Sequence, residues 1–218
     1  MAENDLDKTR GRILEAAGEM FAERGFEATT VRDICQAAGA NVAAVNYYFG
    51  DKERLYVEAV VQAHRWRLDQ AQLPEWDTDT PPRQKLADFI ETFFKRVLGG
   101  PDDTWRTKIV MREIMQPSHA CAEVAQSNIR PQFEILRGIL RELLPASTTD
   151  EELHLTAFSI VGQCLFYHVA RPIISCLIDE QEYSTWNVEK LARHVTKFTL
   201  SAIDAKLASP QQAAGAQR

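Results

Sequence analysis

Apolar residues near the start of the chain recur at helical spacing. Ile13, Leu14, Ala17, Met20 and Phe21 share one face, and Glu23-Arg24-Gly25-Phe26 supplies a glycine stop followed by an apolar residue able to fold back on the last turn. The pattern predicts a helix over roughly residues 6–24. Thr30, with Asp33 three residues on, has the form of a capping box, and Val31, Ile34, Cys35 and Ala38 give a short apolar face that Gly39 ends. Asn41 is a natural N-cap for a second short helix whose inward residues are Val45, Tyr48 and Phe49. Gly50-Asp51 closes that helix and opens a longer one carrying Leu55, Tyr56, Ala59, Val60 and Ala63.

From Leu73 to Arg83 the pattern lapses: Pro74, Pro81 and Pro82 stand among acidic and polar residues, as in a connecting loop. Helical spacing resumes at Leu86, Phe89, Ile90, Phe93 and Val97, stops at Gly99-Gly100-Pro101, and restarts behind Asp102 or Asp103 until Pro117. A segment from Ala120 to Leu144 is helical in pattern with Pro131 inside it, which predicts a kink or break near Asn128. Thr149 and Glu152 form another capping box, opening an apolar helix over about residues 151–178 that Pro172 should bend. At the end, Val188, Leu191, Val195, Phe198, Ala202 and Ala205 alternate steps of three and four, the spacing of a helix-bundle seam. There is no internal repeat and no strand pattern. The expectation is an all-α protein of about nine helices: an N-terminal three-helix helix-turn-helix domain over 1–52, a C-terminal helical domain over 53–208 and a flexible tail over 209–218.

With 218 residues, 45% of them hydrophobic, the chain can bury a sizeable core. Its net charge of -6 argues against coating nucleic acid or anionic membrane by bulk electrostatics, so any such binding must be local. Four scattered cysteines without a C-x-x-C pair, and a charged N-terminus without an apolar core segment, point to a reducing, cytoplasmic setting. Leu153 to Ala170 lacks formal charges, but His154, Thr156, Ser159, Gln163 and His168 interrupt it, so a buried helix is expected and no membrane partner.

Residues 30–49 have the length and break of a helix-turn-helix, with the preceding helix as support. Outward on its second helix stand Val42, Ala43, Ala44, Asn46 and Tyr47. Small side chains allow close approach to base edges, Asn can read adenine bidentately, and Ala or Val can meet a thymine methyl. Thr29 or Thr30, Arg32, Asn41, Tyr48 and Lys52 flank them with hydroxyls, a helix cap and cations suited to phosphates. On spacing alone, two short helices at a glycine turn could equally be part of a plain helical domain. Charge favours that second reading, because residues 1–52 hold six Lys or Arg against nine Asp or Glu, a local net of -3.

Thr9-Arg10-Gly11-Arg12-Ile13-Leu14-Glu15-Ala16-Ala17, Phe21-Ala22-Glu23-Arg24-Gly25-Phe26, Thr29-Thr30-Val31-Arg32-Asp33-Ile34 and Gly39-Ala40-Asn41 through Tyr47-Tyr48-Phe49-Gly50-Asp51-Lys52-Glu53 closely resemble the N-terminal domain of TetR-family transcriptional regulators. The resemblance implies a homodimer on a palindromic double-stranded DNA operator, and a C-terminal domain whose small-molecule effector changes the spacing of the two DNA-binding heads. Ala44 and Asn46 depart from the threonine and tyrosine of many members, which puts one phosphate contact and one base contact in doubt. Arg112-Glu113-Ile114-Met115-Gln116-Pro117-Ser118, with the Gly39 to Phe49 stretch, is similar to the CecR-like subset, repressors linked to membrane transport and drug sensitivity.

In the second half, Phe89, Phe93, Trp105, Met111, Met115 and Phe166 are large, pliable side chains suited to an apolar cavity, with Glu113, His119, Gln163 and His168 as polar anchors for an amphiphilic effector. The seam of Val188, Leu191, Val195, Phe198 and Ala202, beside Phe158 and Leu165 on an apolar helix, is expected to form a dimer interface. Cys164 and His168, four apart, could ligate zinc with His119 or Cys121, but no paired ligand motif accompanies them and packed core is the expectation. No metal or cofactor is expected. Neither a nucleophile elbow nor a phosphate-binding glycine loop supports the rival reading of a Cys/His enzyme; a helical adaptor that binds protein is the other alternative.

Overall fold

The computed structural model describes residues 2–99 and 104–208, with side chains from Lys8 onward; the tail expected over 209–218 and the candidate caps Asp102 and Asp103 lie outside the described residues. Every regular element described is helical: α1 (Ala2–Arg24), α2 (Val31–Ala38), α3 (Val42–Phe49), α4 (Lys52–Asp69), α5 (Pro82–Leu98), α6 (Trp105–Met115), α7 (Cys121–Val124), a π-helical turn (Ala125–Ile129), α8 (Arg130–Leu143), α9 (Asp150–Val169), α10 (Arg171–Leu177), α11 (Glu180–Ser184) and α12 (Val188–Ala208).

Helix ends follow local chemistry. Thr30 accepts from the Asp33 N–H, Asn41 from Ala44, and Thr104 from Thr107, while Thr149 and Glu152 complete a reciprocal capping box. Gly39 and Gly50 end α2 and α3 with φ of 60° and 84°, a backbone region open to glycine at no steric cost. Pro131 does not break its helix outright. The turn ahead of it widens into the π-helical segment, which absorbs the ring and its missing donor, and Ser127 donates to the Glu123 carbonyl at 2.6 Å. At Pro172 the expected bend is a true break, with α9 and α10 turned by 72°. The short α11 has no counterpart in the sequence reading. Asp179 caps it, and none of its residues is buried.

Two compact units divide the chain: one holds 1–69 and 101–131, the other 70–100 and 132–218. The boundary expected at residue 52 falls inside the first unit, because α4 carries Leu55, Tyr56, Ala59, Val60 and Ala63 into one core with Ile13, Leu14, Phe21, Ile34, Val45 and Ile109. The second unit packs Leu86, Ile90 and Phe94 of α5 with Leu136 and Leu140 of α8, Leu153 and Ala157 of α9, and Val195 of α12. Arg96 fastens the start of the 70–81 loop to this unit, donating at 2.8 Å to both the Ala71 carbonyl and Gln132.

That packing corrects the reading of the last helix. Leu191 and Val195 are buried and Val188 half-buried against their own unit, so the three-four seam is internal, whereas Phe198 and Ala202 lie on the exposed face.

Candidate nucleic-acid interface

α3 is held from behind. Val45 and Phe49 are buried in the first unit's core, and Tyr48 and Ala44 pack half-buried against it. Turned outward are Val42, Ala43, Asn46 and Tyr47, the last of them 75% exposed and edge-on to Tyr48 with ring centroids 5.0 Å apart. Asn41 stands exposed at the N-terminus of α3, its Oδ1 accepting from the Ala44 N–H at 2.8 Å. A short, narrow helix with two small residues at its leading end and an amide further along can approach a major groove and read base edges.

The flanking groups sort differently from the sequence expectation. Thr29 is fully buried and its hydroxyl donates to the Gly25 carbonyl at 2.8 Å, so it braces the α1–α2 turn and cannot meet a phosphate. Thr30 and Arg32 are exposed at the start of α2. Lys52 is half-buried, with its ammonium 4.1 Å from the centre of the Phe26 ring. Ala44 and Tyr48, half-buried, are supports more than readers. Arg12 carries one signal in the sequence, its place in the Thr9-Arg10-Gly11-Arg12 stretch. It is exposed, and its Nη1 lies 3.8 Å from where a Cβ on Gly39 would stand, which adds a cation at the α2–α3 turn. Arg10 is engaged instead, paired with Glu58 and set over the Phe49 ring at 5.3 Å.

Behind this surface, α6 is wedged onto α1 and α4. Trp105 donates to Glu15 at 2.7 Å, Arg106 clamps the same carboxylate, and the indole lies where Gly18 leaves no Cβ. Buried Glu113 accepts from the Tyr56 hydroxyl at 2.9 Å and from the Ser118 N–H at 2.8 Å. Burial, then the Glu113 hydrogen bond, pushes the Tyr56 phenol up to about 12. Trp105, Met111 and Glu113, expected in an effector cavity, are therefore packing and anchoring groups of the first unit, and Met115 and His119 are exposed there. Of the remaining candidates, all in the second unit, Phe89 is buried core, Phe93, Gln163 and His168 are half-buried, and Phe166 is exposed.

Against known proteins, residues 13–59 match the model for bacterial regulatory proteins of the tetR family, and residues 82–203 match the C-terminal domain of the HTH-type transcriptional dual regulator CecR. The chain belongs to the TetR family. Its relatives include the dual regulator CecR of Shigella flexneri, 25% identical over 77% of this chain and 79% of that protein, and the transcriptional repressor NicS of Pseudomonas putida, 25% identical over 83% and 87%. A TetR-like regulator from Rhodococcus sp. RHA1 shares the fold, with a TM-score of 0.60 over 91% of this chain and 97% of that one at 21% identity. As a TetR-family member the protein is a DNA-binding transcription regulator and not an enzyme. Cys164 is buried, its thiol pushed up to about 12 by burial, and the described residues contain no cluster of three or more His, Cys, Asp or Glu set for a metal ion. No single described helix is long and apolar enough to cross a membrane; the bent α9–α10 pair passes on length and composition alone.

Proposed function

We propose that the protein is a cytoplasmic repressor that binds a palindromic operator as a homodimer, and that a small amphiphilic effector alters its DNA affinity. DNA reading resides within residues 1–52, effector binding and dimerisation within 53–208. The observation that carries the DNA half is the surface of α3: Val42, Ala43, Asn46 and Tyr47 outward on a helix whose opposite face is locked into the core. Supporting a dimer, α9 and α12 expose Leu155, Phe158, Phe166 and Phe198, apolar side chains about 60% accessible in the single chain. Two-fold pairing would hide them and present two α3 helices to half-sites one helical turn apart, about 34–36 Å. Repression is the activity named for NicS. Members of the TetR family usually bind small-molecule effectors, which supports one here.

Selection of genomic fragments by the purified chain, followed by footprinting, tests this reading. It predicts enrichment of fragments carrying two inverted half-sites, both protected. Failure to enrich any fragment, or a protected stretch without two-fold symmetry, would contradict it.

A further inference from the structure

Within the first unit, the end of α1, the start of α4 and the loop after α6 surround a cleft of about 460 Å³ that the reading of DNA leaves unused. The Arg112 to Ser118 stretch of the sequence supplies much of its wall, through Arg112, Gln116, Pro117 and Ser118. Glu113 of the same stretch is buried beside it as a brace. Its carboxylate accepts from the Tyr56 hydroxyl at 2.9 Å, and from the Ser118 N–H and hydroxyl at 2.8 and 3.1 Å. Ser118 Oγ in turn accepts from the Ala120 N–H at 3.0 Å. These bonds fix Tyr56 and Ser118, both of which line the cleft.

The charges around this cleft are unusual. Arg24 and Arg112 line it, and so do Glu27 and Glu53. Among the described residues none of the four is ion-paired, although opposite charges share so small a space. Arg112 is placed by its surroundings: its Nη2 lies 2.7 Å from where a Cβ on Gly25 would stand, so the guanidinium occupies room that the glycine leaves. One long bond, to the Ala22 carbonyl at 3.4 Å, uses one of its five donors. Phe26 and His119, edge-on with ring centroids 4.9 Å apart, join Pro117 as the flat and apolar part of the lining.

These features select a ligand chemistry. A molecule carrying both signs of charge finds a partner for each, whereas a molecule with one sign finds a partner and also meets its like. Charge-assisted hydrogen bonds are the strong ones, and the guanidinium fork matches a carboxylate. Flat side chains favour a ring, and the volume lies within the range of small-molecule sites. We propose that this cleft binds a free aromatic α-amino acid, its carboxylate on Arg24 and Arg112, its ammonium on Glu27 and Glu53, and its ring against Phe26, Pro117 and His119. The site stands independently of the amphiphilic effector above.

Isothermal titration of the full-length protein without DNA, at neutral pH, tests it. The probes are L-phenylalanine, phenethylamine, which lacks the carboxylate, and 3-phenylpropanoate, which lacks the ammonium. L-phenylalanine should bind once per chain and at least about tenfold more tightly than either of the others. Replacing both Glu27 and Glu53 by Gln should erase the preference over 3-phenylpropanoate, and replacing both Arg24 and Arg112 by Gln should erase that over phenethylamine. Gln116→Trp, at an exposed position of the lining, should block the cleft without touching the core, which keeps the test independent of any folding defect in the other variants. Equal affinity for the three probes, tighter binding of either single-charged probe, no binding of L-phenylalanine, or unaltered binding by Gln116→Trp would overturn the site.

Discussion

Gly18 shows how a single missing methyl group sets the packing of the first unit. A Cβ there would overlap the Trp105 ring, whose indole nitrogen is in turn tied to Glu15. Alanine gains up to about 1 kcal/mol of helix propensity over glycine, while overpacking a tight contact costs roughly 1–3 kcal/mol. Gly18→Ala should therefore destabilise the protein in urea unfolding; a more stable variant would show that the ring moves aside freely. Tyr56→Phe should cost about 1–3 kcal/mol, because Glu113 keeps its buried position and loses a donor; wild-type stability would contradict the role given to that bond. His64 supplies a pH signature. Burial, reinforced by the charge of Arg67, lowers its pKa to about 4, so between the ordinary value near 6.5 and about 4 the unfolded chain holds a proton that the folded one refuses. Stability should fall as pH drops through that window and stay level above it as far as this group is concerned. His64→Gln should flatten the slope between pH 6.5 and 5, and an unchanged slope would place the sensitivity elsewhere.

The exposed and buried faces of α12 make opposite predictions for neighbouring substitutions. Phe198→Asp should leave a folded chain that sediments as a monomer, because Phe198 is 60% exposed, whereas Val195→Asp should unfold the second unit, because that side chain is fully buried. A dimer that survives Phe198→Asp would rule out the α9–α12 face as the interface. Helix positions were legible in the sequence because their ends are marked locally, by Thr30 and Gly39, Asn41 and Gly50, and Thr149 with Glu152. What a helix face meets was not. The steps of three and four from Val188 to Ala205 mark a helix packed along its length but do not say against what, and Leu191 and Val195 proved to lie in the core of their own unit. Glu113 and Trp105 carry groups that suit a ligand cavity as well as a core, and their partners Tyr56 and Glu15 are far away in the chain. The sequence around Pro131 is compatible with a kink or a widened turn, and only packing selects between them.

At the scale of the whole molecule, the proposed reading has a chain of net charge -6 draw its sequence-specific DNA affinity from few cations, a helix that fits a groove, and two copies acting together. Phosphate contacts and base contacts then separate cleanly. Lys52→Ala and Arg12→Ala should each weaken operator and random DNA alike and reduce the salt dependence by about one counterion's worth. Asn46 stands exposed on the face of α3 that would enter the groove, so its loss should act on sequence alone. The most direct measurement is fluorescence anisotropy of wild type and Asn46→Ala on the selected operator and on a scrambled duplex of equal length at fixed salt. A loss of about 1–3 kcal/mol confined to the operator is predicted; equal losses on both duplexes, or none on either, would contradict recognition through α3.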